Sequence, residues 1–80
     1  MAHLVDYEEA TTERERAFAA LECSERKSAK ARAWGWAETA IAHALEAGLC
    51  SEEEAGKAVG QGRWPDLNAL KTLFGKGVTA

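Results

Sequence analysis

Side chains that act on nucleic acids cluster near the middle of the chain. Residues 26–32 contain four basic residues and no acidic one: Arg26, Lys27, Lys30 and Arg32. Trp34 and Trp36 follow directly. Basic side chains neutralise phosphates and tryptophan rings stack on nucleobases, so the pattern gives grounds to consider nucleic-acid binding. Because the net charge of the chain is -3, we expect these bases to pair with the acids of the first helix, and nucleic-acid binding to be the weaker interpretation.

Residues that catalyse reactions or bind metals are few. The two histidines, His3 and His43, and the two cysteines, Cys23 and Cys50, have no spacing that a zinc site uses. The sequence also contains no phosphate-binding glycine loop, nucleophile elbow or zinc-protease pair. His43 as a general base would need a nucleophile and an orienting group, and the sequence names neither. We therefore expect no enzymatic activity, no cofactor, no metal site and free thiols.

Residue types that anchor protein interfaces are better represented. Tryptophan and arginine dominate such anchors, and Arg63 and Trp64 lie side by side in a segment that we expect to be a loop. Trp36 shares a helical stripe with His43. Three tryptophans are more than a core of this size is expected to bury, so we expect Trp36 or Trp64 to be exposed.

A helix at about residues 29–47 must position most of these groups. Its apolar residues fall on two adjacent stripes, one with Trp34 and Ile41 and one with Trp36 and His43. A helix that is apolar around most of its circumference needs more than one neighbour. We expect the first stripe to pack as core against the last two helices. The second stripe is either covered by the first helix or free for a partner.

The sequence does not determine where the first helix starts or where it ends. A capping box can begin at Asp6 or at Thr12, and the sequence does not choose between them. No glycine or proline separates this helix from the central one, so residues 12–47 form one helix or two. We prefer a break at about residues 24–29, because the apolar stripe is interrupted there. The first helix is expected to pack on one side only.

The second half of the chain has clearer boundaries. Gly48 is placed to end the central helix in a left-handed conformation, and Ser51 with Glu54 forms the capping box of a third helix. Pro65 suits the first turn of a fourth helix, which Gly75 is expected to end.

These elements predict one small all-α domain over residues 1–80, a three- to four-helix bundle around the central helix. Residues 1–5 and 76–80 are expected to be frayed. The sequence shows neither the charge and apolar pattern of a signal peptide nor an apolar run long enough for a membrane span, so we expect a cytoplasmic location and no membrane partner.

As a whole chain, the sequence resembles the small single-domain proteins with which bacteriophages block host machinery, anti-CRISPR proteins above all. The resemblance implies a non-enzymatic, stoichiometric inhibitor that occludes the nucleic-acid-binding surface of a host complex such as a CRISPR effector. It implies that acidic segments, the first helix or Glu52 and Glu53 with their neighbour Glu54, meet a basic groove of that partner.

Two alternatives remain. One is a small nucleic-acid-binding regulator that uses the bases of residues 26–32. The other is a homodimer through one helical stripe, on which small residues allow two copies to approach closely. The stripe consists of Ala29, Ala33, Trp36 and Ala40.

Overall fold

Four α-helices and one short 3-10 turn make up most of the chain in this computed structural model, which describes residues 7–79 except for the side chains of 78 and 79. The turn is Tyr7–Glu9, and the helices are α1 (Glu13–Glu25), α2 (Lys30–Glu46), α3 (Glu52–Val59) and α4 (Leu67–Thr79). No strand occurs among the described residues. The expected all-α bundle is therefore confirmed, while the expected fraying of residues 1–5 lies outside the described part.

Helix α1 begins at the second of its two candidate starts. The Thr12 hydroxyl accepts a hydrogen bond from the backbone N–H of Glu15 at 3.1 Å. The Glu15 carboxylate in turn accepts from the backbone N–H of Thr11 at 3.0 Å. One N–H group that a helix start leaves without a partner is thus satisfied, and the N–H of the residue before the cap is bound as well.

The expected break between the first two helices is confirmed. Helix α1 ends at Glu25 and α2 begins at Lys30. The backbone N–H of Arg26 still donates to the Glu22 carbonyl at 3.2 Å, and the chain then turns away. Two helices that are joined by so short a turn pack against each other.

The contact between α1 and α2 is built from small side chains. Fully buried alanines of α2 recur at helical spacing: Ala33, Ala37, Ala40 and Ala44. Helix α1 contributes Ala17, Ala20 and Leu21 to the same core. Because alanine has no atom beyond Cβ, the two helices come close together. This buried stripe runs between the two stripes that the sequence suggested, so Trp34 and Ile41 are only half-buried on its flank.

Helix α1 is not the one-sided helix that the sequence indicated, because α4 covers a second face of it. Phe74 and Leu70 of α4 are fully buried in the common core. The ring of Phe74 meets the ring of Phe18 edge-on, with 5.8 Å between their centroids. Such perpendicular pairs are favourable beyond the area they bury.

One polar side chain lies within this core. Ser24 of α1 is fully buried, and its hydroxyl donates to the Ala33 carbonyl of α2 at 2.6 Å. A buried hydroxyl without a partner would destabilise the fold by about 1–3 kcal/mol. The bond therefore fixes how the two helices are placed along each other.

The turn from α2 to α3 follows the prediction. Gly48 has a φ of 72°, and the N–H of Leu49 donates to the Ala44 carbonyl at 2.9 Å, as in a Schellman ending. Ser51 and Glu54 then form the reciprocal capping box.

Helix α4 does not end at Gly75 but continues to Thr79. The reason is a contact at Gly77. A Cβ added there would lie 2.7 Å from the Leu49 Cα and closer still to its carbonyl oxygen. Glycine therefore lets the last turn of α4 lie directly against the turn after α2. No described helix is both long enough and apolar enough to span a membrane.

Candidate functional site

The segment between α3 and α4 presents Arg63 and Trp64 at the surface. Both side chains are exposed, and Trp64, with 39% of its surface accessible, is the large apolar residue that the described chain leaves most open. The backbone beneath them is held in place: the Trp34 indole Nε1 donates to the Arg63 carbonyl at 3.0 Å. The expectation that one of Trp36 and Trp64 is exposed is confirmed at Trp64.

Both ends of this loop are fixed as well. Gly60 ends α3 with a φ of 80°, and the N–H of Asp66 donates back to the Val59 carbonyl at 2.8 Å. Pro65 is buried, and the Asp66 carboxylate accepts from the N–H of Ala69 at 3.1 Å to cap α4. The arrangement carries an exposed Arg–Trp pair on ordered backbone.

A chain of hydrogen bonds joins the 3-10 turn to α1 and α2. The Tyr7 hydroxyl lies 2.7 Å from His43 Nε2, and His43 Nδ1 lies 2.5 Å from the Glu13 carboxylate. Arg16 donates to the other Glu13 oxygen at 2.8 Å. The bond from His43, and then the bond from Arg16, lower the pKa of Glu13. In the tautomer whose Nδ1 donates to the Glu13 carboxylate, Nε2 accepts a hydrogen bond from the Tyr7 hydroxyl.

These groups stand in the order of a catalytic triad, hydroxyl, imidazole and carboxylate. Tyr7 and Glu13 are thus a hydroxyl and a carboxylate in contact with His43 that the sequence did not identify. The Tyr7 ring also meets Trp36 nearly edge-on, at 5.1 Å between centroids, and lies 5.5 Å from the His43 ring. The evident effect of the chain of bonds is to hold Tyr7 against α2. It covers the His43 end of the predicted Trp36 and His43 stripe.

An open depression of about 430 Å³ lies beside this cluster. Its lining comes from the 3-10 turn and from one face of α2: Tyr7, Arg32, Gly35, Trp36 and Thr39. The α2 members recur at i, i+3, i+4 and i+7, which places them on the same side of the helix. Because an added Cβ at Gly35 would meet no atom within 4 Å, that position leaves open space.

The bases of residues 26–32 do not pair with α1. Arg26, Lys30 and Arg32 are exposed and Lys27 is half-buried. Within the described chain, the acids of α1 are bound by other groups: Glu13 by His43 and Arg16, and Glu22 and Glu25 by Lys71 of α4. The expected pairing of the basic segment with the first helix is therefore wrong.

The remaining predicted contact residues lie elsewhere on the surface. Glu52 and Glu53 are exposed at the start of α3, where Glu53 pairs with Lys57 at 3.3 Å. They lie at the start of α3, whereas Arg63 and Trp64 follow its end; the helix of eight residues is about 12 Å long. The predicted protein-binding residues thus occupy three different elements rather than one patch.

Two further expectations can be compared with the structure. The stripe suggested for a homodimer is used inside the chain, because Ala33 and Ala40 are fully buried. Cys23 and Cys50 are free thiols, and desolvation raises the pKa of Cys50, with a smaller contribution from the Glu54 charge. Among residues 7–79, no three histidine, cysteine or acidic side chains converge to hold a metal ion.

No family model matches this chain, and comparisons with curated proteins and with solved structures find no match. The function is therefore inferred from the geometry and charges of the chain itself.

Proposed function

We propose that this protein is a non-enzymatic module that binds another protein through the loop carrying Arg63 and Trp64. The observation that carries the proposal is the exposure of Trp64 on a backbone held by Trp34. Binding through a mobile loop loses affinity to the ordering of that loop, whereas an ordered loop has little left to lose. Tryptophan and arginine are also the residues whose truncation weakens interfaces most.

The finer proposal is a stoichiometric inhibitor of a nucleic-acid-handling complex, in the manner of anti-CRISPR proteins. The charges at the start of α3 support it. Glu52 and Glu53 are exposed, and they present negative charge to a basic groove that otherwise holds nucleic acid. Complementary charge of this kind speeds association and selects the partner more than it raises affinity.

The test is to mix the protein with purified CRISPR effector complexes. We expect co-migration in size-exclusion chromatography and loss of target-DNA binding at equal molar amounts. Trp64→Ala is expected to weaken binding by about 2 kcal/mol, roughly 30-fold. Arg63→Ala should weaken it too, whereas Arg14→Ala, which removes an exposed arginine from α1, should not.

Two results would contradict the two levels of the proposal separately. Failure to co-migrate with any effector would exclude the inhibitor of CRISPR complexes. A partner that binds the wild type and Trp64→Ala equally well would exclude the loop as the contact surface, whatever the partner is.

A further inference from the structure

The depression beside Tyr7 combines an aromatic wall with a free cation. Tyr7 and Trp36 form the wall, and Arg32 lies one helical turn before Trp36 on the same face of α2. Arg32 is exposed and has no ion pair within the described chain. The volume of about 430 Å³ is in the range of sites that hold small organic groups.

The positive charge extends beyond Arg32. Arg26, Lys27 and Lys30 precede it by at most six residues and are likewise without an ion pair in the described part. The first turn of α2 contains no acid, so its helix dipole adds to the same potential. Glu8 and Glu9 are exposed beside Tyr7. Because their negative charges repel a polyanion, it would approach from the side of the basic residues 26–32.

The hydrogen-bond chain keeps the wall in place. The Tyr7 hydroxyl is bonded to His43, so Tyr7 offers its ring to a ligand rather than its hydroxyl. A ring face accepts any base, which favours stacking without sequence preference.

We propose that this depression binds single-stranded nucleic acid. One nucleobase stacks against Trp36, and the adjoining phosphates contact Arg32 and the basic side chains that precede it in the sequence. An acidic peptide would satisfy the cations but would leave the aromatic wall and the open space at Gly35 unused. The proposal goes beyond the protein-binding loop and uses none of its residues.

The experiment measures fluorescence anisotropy of a labelled oligothymidylate of about ten nucleotides, at roughly 50 mM salt and above. We expect binding that weakens as salt rises. Arg32→Gln should weaken it and lower the slope of log affinity against log salt by about 0.7, the value for one lost single-strand phosphate contact. Absence of binding at the lowest salt would overturn the proposal.

A second variant tests the depression itself. Gly35→Gln places a side chain in the open space and raises helix propensity, so the fold is retained. We expect affinity to fall on the order of tenfold, as when one base loses its stacking partner. Gly56→Gln is the matched control, because Gly56 is also helical and exposed and an added Cβ there meets nothing within 4 Å. Equal effects of the two variants would overturn the assignment.

A competitor separates stacking from charge. A polyglutamate peptide of equal charge should displace the oligonucleotide far less well than unlabelled oligothymidylate does. Equal displacement would mean that the surface recognises negative charge alone, which would overturn the nucleic-acid proposal. Trp64→Ala should leave oligonucleotide binding unchanged, so this inference and the protein-binding loop can fail independently.

Discussion

Helices α2 and α3 begin in opposite ways. At α3, Ser51 and Glu54 exchange two capping hydrogen bonds of 3.0 and 3.1 Å, and acids fill the first turn. At α2, Ala29 makes no side-chain capping bond, and the first turn carries Lys30 and Arg32. Typical values put the difference between such starts at about 1–2 kcal/mol.

The difference follows what each helix buries. Helix α3 has one buried residue, Ala55, so its stability depends on its ends. Helix α2 buries a stripe of alanines against α1 and tolerates an unfavourable start. Packing thus leaves the start of α2 free to carry bases that do not stabilise the fold. This is the physical basis of the nucleic-acid proposal.

The largest expected effect tests whether packing contributes more to the free energy of unfolding than the capping of helix starts does. Gly77→Ala should destabilise the protein by about 2 kcal/mol, because the new Cβ would collide with the backbone of Leu49. Gly75→Ala on the same helix meets no atom within 4 Å and should stabilise by up to about 1 kcal/mol. Urea unfolding measures both. If the two variants are equally stable, α4 does not pack on that turn.

The next effect concerns the start of α3. Ser51→Ala should destabilise by about 1 kcal/mol, because the capping bond is lost from a helix with little buried surface. Hydrogen exchange should show α3 opening before the other helices. Ser28→Ala, the same change at an exposed site before α2, should have almost no effect. Equal protection of α3 in Ser51→Ala and wild type would contradict the dependence of α3 on its cap.

The complementary change repairs the start of α2. Ala29 has an extended backbone suited to a capping residue, so Ala29→Asp should stabilise by just under 1 kcal/mol, measured by urea unfolding. The added negative charge should also weaken oligonucleotide binding. A variant that gains stability and keeps full oligonucleotide affinity would separate the start of α2 from the proposed site.

The smallest effect is acid sensitivity at the start of α1. Because bonding to His43 lowers the pKa of Glu13 from its ordinary 4.5 in the folded state, its contribution is complete above that value. It is lost as the pH falls through the lowered pKa. Glu13→Gln should flatten the decline of melting temperature below about pH 4.5, whereas Glu38→Gln, at an exposed site on α2, should not. Parallel declines in the wild type and Glu13→Gln would exclude this contribution.

Features that depend on a few neighbouring residues could be predicted from the sequence. The Gly48 turn and the capping box of Ser51 and Glu54 are determined within four positions of the chain, and both are present. The helical type of the elements follows from the same local signals and from apolar periodicity, whereas their number was left at three or four.

Features that depend on contacts between residues distant in the chain could not be predicted from the sequence. Tyr7 meets His43 from 36 positions away, and Glu13 meets it from 30, so no local pattern marks this cluster. A glycine such as Gly75 commonly ends a helix, but the contact between Gly77 and Leu49 lets α4 continue beyond it. The predicted pairing of residues 26–32 with α1 is wrong because Lys71, far along the chain, reaches Glu22 and Glu25 instead.

The alanine contact between α1 and α2 restricts how this protein can vary. Alanine loses no rotamer freedom on burial, so the contact forms at low entropic cost. For the same reason its alanines offer no flexible side chain that could move aside for a larger neighbour. Positions such as Ala37 and Ala40 should therefore accept only glycine, alanine and serine, the set to which Ser24 already belongs. The contact between α1 and α2 consists mainly of the smallest residues, and the side chains around it cannot make room for a larger one.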